Sequence, residues 1–245
     1  MRAALLDTAV YPCPYLEGKT ARMEQFITYS IGPEEHETLL AHGYRHFGNY
    51  YFRPDCGVCS RCIPLRVRVT GISLHRSWRR LLNKSVFLEL RINDTPSIQE
   101  AFDLYNLHKR RFGDGEQPDI RIFRESFFTE HPASRILTLR DRKRLVAVAH
   151  FDQVANSLSA VYTYYDDKDY ARVSPGKLSI IHLIQLAAAT GRKFLYLGYY
   201  VHDNPFMSYK AGFTPFEYSP RGGVWSRPRD ALGEISFISG EPLLR

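Results

Sequence analysis

No apolar run in the 245 residues approaches the roughly 20 that cross a bilayer, which excludes an expectation of helical membrane spans. The N-terminus, Met1-Arg-Ala-Ala-Leu-Leu-Asp-Thr-Ala-Val, carries an acid inside its short apolar run and lacks the basic-then-apolar layout of a secretory leader. A cytoplasmic location and no membrane partner are therefore expected. Cysteine is scarce. Of four cysteines, three fall between Cys56 and Cys62, which argues against a disulfide scaffold and for a metal or redox site in a reducing compartment. Internal repeats and low-complexity tracts are absent. So is a glycine-rich phosphate loop: Pro175-Gly176 before an apolar helix is the nearest approach, and a helix N-terminus can still meet a phosphate or carboxylate.

What is present suits a globular protein. Hydrophobic residues make up 44% and aromatics 13%, enough for one large domain or two modest ones. Lys plus Arg exceed Asp plus Glu, 33 against 26, and an excess of seven positive charges attracts a polyanion over about a screening length. The spacing of apolar residues predicts an α+β chain. Strands are expected around Met23–Tyr29, over Leu65–Val69, where alternation implies one wet cationic face, and over Val86–Ile92, Arg135–Leu139, Leu145–Val154, Ser157–Tyr165 and Phe194–Leu197. Helices are expected from Pro33 to Gly43, over Arg76–Lys84, Pro96–Arg111 and Leu178–Thr190. Tyr44–Phe52 reads as extended, Gly113–Asp119 as a loop, and the Pro-, Gly- and Arg-rich segment after Pro215 as a loosely packed tail.

Three constellations carry chemistry. Cys56, Cys59 and Cys62, with Cys13 as fourth member, have the two-residue gaps that let thiolates converge on a zinc ion or an iron-sulfur cluster; free thiols packing the junction are the other reading. Arg45, Arg53, Arg66, Arg68, Arg76, Arg79, Arg80 and Lys84 are interleaved with Tyr44, Phe47, Tyr50, Tyr51, Phe52 and Trp78. Guanidinium groups bind phosphates and rings stack on unpaired bases, although solvated arginine faces look the same in sequence. The third stretch runs from Phe194 to Phe216. A strand is broken at Gly198, and Tyr199, Tyr200, His202, Asn204, Met207, Tyr209 and Lys210 follow, too polar for a core and too aromatic for an ordinary loop.

The run Tyr196-Leu-Gly-Tyr-Tyr-Val-His with Met207, Tyr209-Lys210 and Phe213 resembles the C-terminal signature of the aminoacyl-tRNA:protein transferases. Cys13-Pro-Tyr-Leu, Gly43-Tyr-Arg-His-Phe-Gly-Asn, Tyr51-Phe-Arg-Pro-Asp-Cys56 and Arg76-Ser-Trp-Arg-Arg resemble the bacterial aspartate/glutamate leucyltransferase branch in the same order. The resemblance implies a tandem GNAT-like architecture of antiparallel sheets and flanking helices, divided at 1–112 and 113–245. It implies transfer of an amino acid, leucine or arginine, from aminoacyl-tRNA to proteins with acidic N-termini, creating a degradation signal. Tyr199, Tyr200, His202, Tyr209 and Lys210 are the implied catalytic residues, and Arg45, Arg53, Asn204 and Met207 the substrate contacts. Arg66, Arg76, Arg79, Arg80 and Lys84 are expected on the tRNA. No cofactor is required for ester aminolysis. Asn204 stands where many relatives have cysteine. An acyl-CoA-dependent N-acyltransferase and a non-enzymatic RNA-binding module are the alternatives.

Overall fold

Apolar runs of seven to ten residues dictate the centre of this molecule. A computed structural model describes residues 1–112, 118–220 and 222–228, and the backbone of a strand pair at Phe237–Ile238 and Glu241–Pro242. In chain order, β1 (Arg2–Leu5), β2 (Val10–Pro12) and β3 (Thr20–Ser30) precede α1 (Pro33–Ala41). Strands β4 (Arg45–Phe47), β5 (Tyr50–Pro54) and β6 (Ile63–Arg68) lead to α2 (Arg76–Lys84), β7 (Glu89–Ile92), α3 (Ile98–Lys109) and α4 (Ile120–Phe128). A meander of β8 (Ser134–Asp141), β9 (Arg144–Gln153) and β10 (Ser157–Tyr165) is followed by α5 (Pro175–Ala189), β11 (Phe194–Tyr200), α6 (Pro205–Ser208) and β12 (Phe216–Tyr218).

The principal sheet has the order β12-β6-β11-β10-β9-β8-β7. Its pairs are antiparallel except β10 with β11, whose parallel pairing requires the crossover that α5 supplies. The fold is thus the mixed α/β, largely antiparallel arrangement with flanking helices expected from the sequence. Two of the seven strands, β6 and β7, come from before residue 113 and five from after it. A smaller antiparallel sheet, β1-β3-β5-β4 with β2 beside β3, stands against it.

Strand β9 shows why the core sits where it does. Leu145 to Asp152 are buried without alternation, because helices cover both faces of the sheet. Trp78 of α2 and Leu178, Ile181 and Ile184 of α5 pack with Val146, Ala149 and Leu158 on one side. Ala101 and Leu104 of α3 and Phe123 of α4 pack with Leu145, Val148 and Tyr164 on the other.

Four expectations are corrected. Tyr44–Phe52 is a hairpin of β4 and β5 rather than one extended run. Strand β11 does not stop at Leu197 but continues to Tyr200 through a bulge between Tyr196 and Gly198. Helix α4 was not foreseen, although Asp119 caps it by accepting from the Arg121 amide at 2.6 Å; residues 113–117 of the expected loop lie outside the described residues. Beyond Pro215 the chain adds the buried strand β12 to the sheet beside β6, because Phe216 and Tyr218 alternate onto the core; most of the expected tail lies outside the described residues.

Candidate active site

Strands β10 and β11 pair only at Ser157 with Phe194, Leu158 with Leu195 and Ser159 with Tyr196. Past these residues both strands bulge, and a cavity of about 690 Å³ opens between them. Arg45, from the edge strand β4 of the smaller sheet, reaches into the gap. Its guanidinium donates to Ser159 Oγ and to the Ala160 carbonyl, both at 3.3 Å. A Cβ at Gly198 would stand 3.2 Å from an Arg45 nitrogen, and Gly198 has φ of +82°, so glycine meets both the backbone bulge and the close guanidinium. Burial works against the Arg45 charge. Among the described residues no carboxylate pairs with it.

The neighbouring residue, His46, points to the other face of β4. Its Nδ1 faces the Gly48 carbonyl at 2.8 Å, and its Nε2 faces both oxygens of Asp152 at 3.0 Å. Both nitrogens face acceptors, so both carry protons and the ring is an imidazolium. Burial opposes this charge, but the Asp152 carboxylate outweighs it and raises the His46 pKa. Burial would likewise raise Asp152; the facing His46 and His36 hold it well below the usual carboxylate range.

The remaining protons follow. The Ala133 amide donates to His131 Nδ1 at 3.3 Å, leaving the His131 proton on Nε2, which meets the Tyr51 hydroxyl at 2.9 Å. Tyr51 then donates to His36 Nδ1 at 2.6 Å. His36 therefore carries its proton on Nε2, 3.4 Å from Asp152. Burial and the nearby histidines bring His131 down to about 4, so it is neutral. His36, His46 and Asp152 also have the convergence of a three-ligand metal set. In this hydrogen-bond pattern, however, both facing nitrogens are protonated, and the carboxylate is satisfied by donors.

The motif after β11 divides. Asn204, Met207, Tyr209 and Lys210 line the cavity with Arg45. Asn204 caps α6 by accepting from the Phe206 amide, and donates to the Tyr15 carbonyl at 3.0 Å. Lys210 Nζ donates to the Tyr199 carbonyl at 2.8 Å and lies 3.4 Å from Met207 Sδ. Burial, then the charge of Arg45, lowers the Lys210 pKa to about 7. Tyr199 is buried in the wall, with its hydroxyl donating to the Gly43 carbonyl at 2.8 Å.

Tyr200 and His202 are not brought to this cavity. Tyr200 turns the other way into the main core, and its hydroxyl pairs with His202 Nδ1 at 2.9 Å, as alternation along a strand dictates.

The arginines divide too. Arg53 pairs with Glu24 and lies over the Tyr44 ring, lining a second cavity of about 450 Å³ instead of the first. Arg66 is withdrawn from any phosphate: it pairs with Glu217 at 2.7 Å and is sandwiched between Phe194 and Trp225. Arg76, Arg79, Arg80 and Lys84 are exposed on α2, and none forms an ion pair among the described residues. Cys13, Cys56, Cys59 and Cys62 all border the second cavity as free thiols. Sequence reasoning missed His36, His46, His131 and Asp152, and the cavity residues Arg111, Tyr162 and Tyr165; it took Tyr51 for a ring able to stack on bases, whereas the ring is fully buried with its hydroxyl between His36 and His131. The one available signal was His150 and Asp152 interrupting the apolar run of β9.

Together these features define a class: a mixed-sheet protein in which a desolvated guanidinium and a lysine of lowered proton affinity face one aromatic-lined cavity. Residues 11–80 match the family model described as arginine-tRNA-protein transferase, N terminus, and residues 100–219 match its C terminus. The aspartate/glutamate leucyltransferase of Chromohalobacter salexigens is 32% identical over 230 residues, 90% of this chain and 91% of that protein. That of Stutzerimonas stutzeri is 34% identical over 225 residues, covering 88% and 93%. The chain belongs to this family of aminoacyl-tRNA:protein transferases. Among solved structures, FemX aligns with a TM-score of 0.47 at 10% identity, over 73% of this chain and 63% of that one.

Tyr200→Phe should keep both the melting temperature and kcat near wild type, since the hydroxyl lies outside the cavity. Tyr200→Ala should instead cost about 3–5 kcal/mol of stability as a buried ring is deleted. A large loss of kcat in a normally stable Tyr200→Phe would return this hydroxyl to the chemistry.

Proposed function

We propose that the protein transfers leucine from leucyl-tRNA to the α-amine of proteins beginning with Asp or Glu, in the cytoplasm, marking them for degradation. The observation that carries this reading is Arg45, a desolvated guanidinium with no carboxylate partner among the described residues, aimed into an aromatic cavity. The buried carboxylate of Asp152 is engaged by His46, while Arg45, among the described residues, hydrogen-bonds only to the neutral Ser159 hydroxyl and Ala160 carbonyl. The positive charge left over suits an acceptor carboxylate, which a guanidinium can hold bidentately. Leucine suits the donor end: Phe47, Phe52, Leu197 and Met207 line the cavity, and its one acidic lining residue among those described, Asp167, is paired with Arg111 at 3.7 Å. An arginyl donor would need a free acid there.

The chemistry is ester aminolysis. The neutral acceptor amine attacks the ester carbonyl, a tetrahedral oxyanion forms, and the tRNA ribose oxygen leaves with a proton. Positioning two substrates provides much of the acceleration. Lys210, near neutrality and half-buried, takes the proton that the attacking nitrogen loses, and Tyr209, Asn204 and Met207 wall the reacting ester. The exposed cations of α2 take tRNA phosphates. The first turn of α5, Ser174 to Lys177, opens on the same cavity with the Tyr165 ring packed against Gly176; against an acyl-CoA donor stands the lack of a glycine-rich loop there to hold a pyrophosphate.

Arg45→Gln should lower kcat/KM for peptides beginning with Asp by about ten- to hundredfold, the worth of a charge-assisted bond of about 1.5–3 kcal/mol, in assays that present each charged tRNA and weigh the product. Arg79→Ala should instead weaken tRNA binding and lower its salt slope by about one unit. If Arg45→Gln behaves like Arg79→Ala, the acceptor reading fails; if only another charged tRNA donates, the leucyl assignment fails.

The pH profile tests Lys210. Protonated lysine cannot accept a proton, so kcat with both substrates saturating should rise as pH passes about 7, and Lys210→Met should flatten that rise. An unchanged profile in a slowed variant would leave Lys210 only a structural part.

The thiols form a separate proposal. Burial and the neighbouring Cys13, Cys56 and Cys59 push the Cys62 thiol up to about 12; the four thiols border one cavity but, among the described residues, do not converge as closely as His36, His46 and Asp152 do, so a soft cation would have to draw them together. Zinc or an iron-sulfur cluster would be held by these four residues, tying the N-terminal arm to the Cys56–Cys62 turn and taking no part in transfer. Protein purified without oxygen should contain the metal, and Cys62→Ser should lose it. Active wild-type protein containing neither zinc nor iron would remove this site.

A further inference from the structure

We infer that His46 is a positioning residue that keeps Arg45 both aimed into the cavity and unneutralised; the inference rests on Arg45 as the site of the acceptor carboxylate. Strand β4 has three residues and lies at the edge of its sheet, paired only with β5. Such a strand is held weakly by its own ladder. Arg45 and His46 leave it on opposite faces, so fixing one side chain fixes the direction of the other.

The Arg45 side of this clamp is loose. Its bonds to Ser159 and Ala160 are both 3.3 Å, to neutral acceptors. The His46 side is tight: the ring is 3% exposed and Asp152 is fully buried, and a charge-assisted contact at 3.0 Å reaches each carboxylate oxygen. Removing either partner of such a pair strands the other in a low dielectric. Asp152 belongs to β9 of the principal sheet, so this pair bolts β4 across the boundary between the sheets, next to where β10 and β11 part.

The second role concerns charge. Asp152 also supports the Arg45 cation through space, and it is the one carboxylate among the described residues that does so. His46 engages both of its oxygens, while Ser134 Oγ reaches one at 3.4 Å and His36 approaches the other at 3.4 Å. With its lone pairs taken, Asp152 does not draw the guanidinium inward. Without the imidazolium, the internal carboxylate competes with the acceptor for Arg45.

The test is a specificity ratio: kcat/KM for a peptide beginning with Asp divided by that for the same peptide beginning with Asn. His46→Gln retains an N–H donor toward Asp152 but no charge. It should lower the ratio by about tenfold, chiefly by raising KM for the Asp peptide. A role confined to stability would slow both peptides alike and leave the ratio unchanged, overturning the inference. Arg45→Gln separates the two levels of the argument. If it leaves the ratio intact, the acceptor reading itself falls; if it collapses the ratio while folded His46→Gln does not, only the role of His46 falls. Should His46→Gln fail to fold, nitrogen NMR of the wild-type side chain decides. Both ring nitrogens protonated at neutral pH support the inference, and a neutral ring overturns it.

Discussion

A carboxylate buried at the centre of a β-sheet must be compensated from within the protein, and Asp152 is compensated almost entirely by residues more than a hundred positions earlier. His36 and His46 come from the opposite end of the chain, and Tyr51 and His131 complete the relay behind them. Breaking one member leaves an unpaired charge where water cannot reach, a cost of about 3–5 kcal/mol in comparable pairs. This ties the smaller sheet to the larger one more specifically than apolar packing does, because the His46 imidazole must meet both oxygens of Asp152.

The same constraint shapes the cavity. Once β4 is bolted to β9, Arg45 lies over Gly198, where β11 bulges with φ of +82° and lacks a side chain. The guanidinium occupies the gap where the parallel ladder of β10 and β11 stops. Tyr199, bonded to Gly43, carries the chain past this point, and the turn beyond it brings Lys210 back to the Tyr199 carbonyl. Desolvation near a fixed cation lowers the affinity of Lys210 for its proton. The desolvated guanidinium and the lowered proton affinity of Lys210 thus follow from one placement of charge.

Much of the fold was legible because period and composition agree with it. The apolar runs of β9, β10 and α5 stand out, and Gly198 announced a bulge. Helix α4 escaped because Arg121, Arg124, Glu125 and Ser126 dilute its apolar face. In the site, Asn204, Met207, Tyr209 and Lys210 were readable as a motif and do converge on one cavity. Tyr200 does not join them because strand alternation carries it to the opposite side. Arg66 was read as a wet cation because Leu65–Val69 alternates; its face is covered by Trp225 and Glu217, more than 150 residues away. Asp152 showed only as a polar break in the apolar run of β9, and nothing local tied it to His46, since partners 106 residues apart share nothing but the folded state.

The central claim is that Arg45, the partly buried cation at the sheet split, receives the acceptor's acidic side chain. A structure of the protein with a short peptide beginning with Asp tests it most directly. The account predicts the side-chain carboxylate within hydrogen-bonding distance of Arg45, with the peptide amine turned toward Lys210. A carboxylate seated on Arg53 in the second cavity, or on the exposed face of α2, would contradict it.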